Sequence, residues 1–273
     1  MHAWIDGQLL TNPEQAAVSV TDHGFTVGDG VFEAVKVLEG RPFALDLHLA
    51  RLERSATGLG LDAPDLDAVR RGIAAVLEQD HLTLGRLRIT LTAGRAPLGS
   101  GRGAHDSTLV VVAVPMEPTP DETHVVTVPW SRNEHSAVAG LKTTSYAENV
   151  VALAKAREQG ASEAIFANTA GHLCEGTGSN VFYVVDGELR TPTLASGCLA
   201  GVTRALVLDW CGAREVDEPI AVAEAAEEVF LVSTTRDVQA VTRWNDRTIP
   251  VGPVTREAAQ TWARREREMA LPV

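Results

Sequence analysis

Residues 140–182 read GLKTTSYAENVVALAKAREQGASEAIFANTAGHLCEGTGSNVF. Lys142 follows a glycine and precedes a segment, 147–160, whose composition suits a helix closing at Gly160. EAIFAN, 163–168, is short and apolar, as a strand is. LCEGTGSNVF, 173–182, sets Glu175 just before a glycine-rich turn that leads into a second apolar run. The GTGSNV within it lacks the third glycine of a dinucleotide loop and enters a strand rather than a helix, so that reading fails.

On the N-terminal side, MHAWIDGQLL carries an Asp-Gly turn between apolar runs and predicts a hairpin. VFEAVKVLEG, 31–40, alternates as a strand. LDLHLARLERSATGLG, 45–60, has helical spacing, and Asp65 caps a second helix over 66–79. Segments 86–94 and 107–115 read as strands. MEPTPDET, 116–123, has two prolines and no hydrophobic period and reads as a linker. On the C-terminal side come a hairpin around Asp186-Gly187, a helix from near Thr203, a strand at 229–234 and a closing amphipathic helix. The expectation is an α+β chain of two domains, 1–115 and 124–273, joined by 116–123.

The bulk numbers narrow the function. The chain has 273 residues, 45% of them hydrophobic, with a net charge of -12 and a pI near 5.1. That balance disfavours nucleic acid or an anionic membrane as partner. Three cysteines with no zinc spacing, and no H-x-x-x-H pairing among the histidines, predict reduced thiols and no metal. MHAWIDGQLL has no basic start and apolar run, and no stretch reaches membrane-spanning length, so the expected location is the cytoplasm. Lysine occurs only at 36, 142 and 155, so amine chemistry has three candidates.

Lys155 falls near a helix C-terminus, where a cation suits the dipole. Lys36 lies on a strand near Glu33. Lys142 sits between a glycine and a helix start, and an amine that attacks an aldehyde must be held rigidly and partly desolvated, so it is the candidate for that role. Glu175 is a carboxylate able to pair with a protonated ring nitrogen. Gly201, Val202 and Thr203 at a helix start suit an anion, and Ser233-Thr234-Thr235 offers hydroxyls. Arg51 lies on a helix, and Arg88, Arg95 and Arg102 flank the 86–94 strand as candidates for a substrate carboxylate. A solvated lysine, an exposed turn glutamate, a plain helix cap and surface arginines are the ordinary alternatives for each alone.

The order of these segments resembles the class IV aminotransferases. The resemblance lies in the opening stretch, LASGCLAGVTR, VFLVSTTRDV and, earlier, TDHGFTVGDGVFEAVKVLEG with HLARL, and it covers roughly residues 3–250. That family holds branched-chain and D-amino-acid transaminases, (R)-selective amine transaminases and 4-amino-4-deoxychorismate lyase. It implies a fold-type IV enzyme with a small N-terminal α/β domain and a larger, barrel-like C-terminal one, working as a homodimer. It implies pyridoxal 5'-phosphate as cofactor, with Lys142 as the Schiff-base lysine and proton carrier. Glu175 matches the ring-nitrogen partner, and Arg51, Val202, Thr203 and Thr234 match the phosphate contacts. Tyr146 lies one residue from where some members place a tyrosine beside the phenolic oxygen. Phe25, Arg88 and Arg95 are the substrate candidates. Where many D-amino-acid transaminases and lyases carry Arg-Gly, this chain has Ala93-Gly94, whereas VFEAVKV is similar to the D-amino-acid pattern. The expected reaction moves an amino group from an amino acid, of D configuration, to a 2-oxo acid. The aminodeoxychorismate lyase and the branched-chain L-amino-acid or (R)-amine transaminases are the alternatives.

Overall fold

The computed structural model describes residues 1–270 apart from 11, 13, 16, 80, 104 and 105. The chain forms two compact units, Met1–Pro118 with Leu141–Tyr146, and Thr119–Gly140 with Ala147–Val273. The last three residues of the expected 124–273 domain lie outside the described part. Leu141–Tyr146, which the sequence reading groups with that domain, packs with the first unit instead.

In the first unit the strands are β1 (His2–Ile5), β2 (Gln8–Leu10), β3 (Gly30–Leu38), β4 (Arg41–Pro42), β5 (Leu84–Thr92) and β6 (Thr108–Pro115). They form one antiparallel sheet in the order β2-β1-β6-β5-β3-β4. The predicted hairpin is present: Asp6 and Gly7 both take positive φ, at 45° and 95°, as a tight two-residue turn demands. The helices are α1 (His23–Thr26), α2 (Leu45–Gly58) and α3 (Leu66–Leu77). Leu49 and Leu52 of α2 and Val69, Ile73 and Val76 of α3 share one core with Val31, Val35, Leu87 and Ile89 of the sheet. Asp65 caps α3 by accepting a hydrogen bond from the Ala68 N–H, as the sequence predicts. The alternation expected of β3 is less strict: Val31, Phe32, Glu33, Val35, Lys36 and Val37 are all buried, so both faces are covered.

The second unit holds β7 (Glu122–Thr127), β8 (Glu163–Ala167), β9 (Leu173–Gly176), β10 (Asn180–Val185), β11 (Glu188–Pro192), β12 (Arg214–Val216), β13 (Glu228–Ser233), β14 (Asp237–Trp244) and β15 (Arg247–Thr248). They build a nine-stranded sheet ordered β12-β11-β10-β13-β14-β7-β8-β9, with β15 on β14. Its pairing is mixed, with β7 parallel to both β14 and β8. The helices are α4 (Ala147–Glu158), α5 (Val202–Cys211), α6 (Ile220–Glu224) and α7 (Pro253–Ala270). Ala152 and Ala156 of α4 pack on Val126, Ala164 and Phe166, while Val125, Ile165, Val181, Leu231 and Trp244 form the core of the other sheet face. Strand β7 begins at Glu122, so the last two residues of the expected linker are strand. No helix among the described residues is long and apolar enough to cross a membrane.

Candidate active site

The segment bearing Lys142 is sewn onto the start of β3. Lys142 accepts a hydrogen bond from the Phe32 N–H at 3.0 Å, and its own N–H donates to Ser55 Oγ at 3.2 Å. The Thr144 N–H donates to Gly30 O at 2.8 Å and its hydroxyl to Gly28 O at 2.9 Å. Gly28 has φ +70°, and a Cβ there would come within 2.7 Å of Ser145 Oγ, so the close approach requires glycine. Leu141 fills a notch over Gly58, where a Cβ would stand 2.7 Å from its side chain.

These ties aim the amine. Lys142 Nζ lies 4.4 Å from the centroid of Phe32 and 5.8 Å from that of Tyr146. Tyr146 meets Phe32 edge-on at 5.1 Å. The Arg88 guanidinium lies over the same Phe32 ring at 3.9 Å. Lysine and arginine therefore meet on one aromatic side chain, with Tyr146 at its edge. Neither Phe32 nor Ser55 stood out in the sequence; the only hint was an aromatic residue inside VFEAVKV.

The other arginines are committed elsewhere. Arg95 Nε donates to Asp106 at 2.9 Å on the surface. Arg102 binds both Asp29 oxygens and the carbonyls of Leu59 and Gly60. Arg51 is buried and grips Glu33 with Nε and Nη2, each at 2.7 Å, while His48 Nδ1 lies 2.7 Å from the same carboxylate. Burial acts to raise the Glu33 acid, but Arg51 and His48 outweigh it and hold it down at about 2. Burial pushes His48 below its ordinary value, so the neutral imidazole can donate to Glu33 and Arg51 supplies the charge. Phe25 sits on α1 and is 75% exposed.

The second unit holds the remaining candidates. Glu175 lies in β9, and its Oε2 accepts the Leu199 N–H at 2.9 Å. Its Oε1 lies 3.5 Å from Arg132 Nε. Arg132 gave no signal in the sequence, because its partners come from β8, β9 and α4. Helix α5 begins at Val202 and has no capping side chain at Gly201, so its first N–H groups are available to an anion. A Cβ on Gly201 would lie 2.1 Å from Asn180 Oδ1. Thr203 is buried there, and Thr234 is half-buried in the turn that follows β13. Lys155 pairs with Glu158 at 2.9 Å.

The model of the class IV aminotransferases, described as Amino-transferase class IV, matches residues 30–244. The chain belongs to this family. This class IV aminotransferase is 30% identical over 270 residues to a putative branched-chain-amino-acid aminotransferase of Methanocaldococcus jannaschii, covering 94% of this chain and 93% of that one. It is also 30% identical to a D-alanine aminotransferase of Bacillus licheniformis, covering 94% of each. Among solved structures it resembles the branched-chain aminotransferase of Thermoproteus uzoniensis with norvaline, at TM-score 0.91 and 27% identity, over 99% of this chain and 96% of that one. The fold is that of fold-type IV enzymes. The family depends on pyridoxal phosphate, and the transaminase reading holds for this chain. Each unit by itself holds groups of the kind that cofactor needs: the first an amine set against aromatic faces, the second a carboxylate held by a backbone N–H and an uncapped helix start.

Proposed function

We propose that this transaminase takes a D-amino acid as donor and a 2-oxo acid as acceptor, with Lys142 as the residue that carries the cofactor and moves the proton. The cofactor, when bound, supplies the electron sink that makes the donor's α-proton acidic. Lys142 Nζ is the base for that proton, and its place against Phe32 and Tyr146 partly strips it of water. Glu175 would hold the ring nitrogen. Val202, Thr203 and Thr234 would hold the phosphate, with Arg51 contributing a positive charge.

The observation that carries the substrate reading is the shared Phe32 ring. Arg88 is the arginine of that strand region set beside the lysine, whereas Arg95 and Arg102 are bound to Asp106 and Asp29. A carboxylate on the donor then has a cation next to the amine that attacks its α-proton. With Ala93 in place of the arginine of other D-amino-acid enzymes, Arg88 takes over that role. VFEAVKV and the likeness to the Bacillus licheniformis protein favour the D configuration.

We further propose a homodimer in a reducing cytoplasm. All three cysteines are free, and exposed Phe25 on α1 and exposed Leu98 each follow a few residues after one partner of the Asp22–Arg95 bridge in the first unit. Surface apolar groups of that size suit a covered face.

A single-turnover test decides the reaction. With D-alanine and no acceptor, the cofactor should leave the reaction as pyridoxamine phosphate. A lyase would return it unchanged, and an L-specific enzyme would respond only to L donors. Separately, borohydride should fix the cofactor's mass to wild-type protein and not to Lys142→Arg. A stable adduct on that variant removes Lys142 from the role.

A further inference from the structure

We infer that Arg132 is the positioning residue for Glu175, holding its carboxylate ionised and aimed for a ring nitrogen. The inference rests on the reading of Glu175 as the ring-nitrogen partner. Arg132 is anchored on several sides. Its backbone N–H donates to Ala167 O at 2.8 Å, and its guanidinium stacks on Phe166 at 4.4 Å. Nη1 binds Glu148, and Nη2 donates to Asn149 Oδ1 at 2.9 Å. Asn149 is itself fixed, since its amide donates to Thr177 O in the turn after Glu175.

Those contacts use the face and both terminal nitrogens. Nε remains buried without a hydrogen-bond partner, and it points at Glu175 Oε1 from 3.5 Å. That distance is too long for a hydrogen bond but short for two opposite charges in a site of low dielectric. Oε2 is already taken by the Leu199 N–H at 2.9 Å. Both oxygens of Glu175 therefore face fixed donors. The side chain has little freedom to rotate, and the cation lowers the cost of keeping a half-buried carboxylate charged. An Arg planar fork can do this where a flexible ammonium does so less well.

The test is a double-mutant cycle on the dissociation constant of pyridoxal phosphate, measured by equilibrium dialysis with the cofactor-stripped full chain. Arg132→Met should weaken binding about tenfold in the native background, as expected when a charged partner is lost. In a Glu175→Gln background the same change should have almost no effect, because its target is gone. Arg132→Lys should fall between native and Met, and it replaces the Met variant if that protein fails to fold. An equal loss in both backgrounds would make Arg132 merely structural and overturn the inference, as would no loss in either. If Glu175→Gln alone leaves binding unchanged, the reading of Glu175 fails and the inference falls with it.

Discussion

Glu33 lies fully buried between Arg51 and His48, and that arrangement has a measurable cost when broken. Glu33→Gln takes the carboxylate away from buried Arg51 and His48, and we expect a loss of about 3–5 kcal/mol in unfolding free energy, read by denaturant melts. The pH dependence has a definite sign. The Glu33 acid is held at about 2 against an ordinary 4.5, so its contribution is complete above 4.5 and fades as pH falls toward 2. His48 is pushed below 6.5 by burial, so its contribution is complete above 6.5 and shrinks beneath it. Stability should therefore decline with acid from near pH 6.5, and the part lost below 4.5 should be absent in Glu33→Gln. Arg88→Gln tests the carboxylate reading. The KM for amino acids should rise about tenfold or more with kcat nearly unchanged, while amines without a carboxylate are unaffected. Equal loss on both substrate types would remove Arg88 from carboxylate binding.

At the scale of elements, the start of α5 is an exacting turn of the second unit. Gly201→Ala would drive a Cβ against Asn180 Oδ1, 2.1 Å away, and Asn180 also donates to the carbonyl of Leu199, the same residue whose N–H supports Glu175. We expect the variant to fold with a lowered Tm and to lose phosphate affinity, measured as weaker inhibition of cofactor loading by inorganic phosphate. Helices α2 and α3 and strands β5 and β6 were legible from their periods, and the β1–β2 hairpin from its Asp-Gly turn. Strand β14 was not. Its Asp237 and Gln239 break the apolar pattern, and the buried Gln239 side chain bonds Pro120 O and Arg236, one of them far away in sequence. Glu175 and Lys142 were singled out by the order of the segments around them, which resembles the class IV family, and not by either residue alone. Arg132 was not, because its significance lies in Glu148, Phe166 and Glu175, which only the folded sheet assembles.

For the whole molecule, the proposed homodimer predicts a sedimenting mass of twice 29.1 kDa. Replacing Phe25 and Leu98 by Ser should shift the population toward one chain, as loss of exposed apolar surface would. A native chain that sediments as a monomer at all concentrations removes the dimer. The course of the backbone carries a further consequence. Residues 141–146 return to the first unit after 119–140 have joined the second, so the polypeptide passes from one to the other at three places. A gene cut at codon 118 would leave Gly30 and Phe32 without the Thr144 and Lys142 backbone groups that bond them. The front half could not be inherited, shuffled or expressed as a free-standing module. Anyone building split reporters from this scaffold must keep that six-residue return with the front piece.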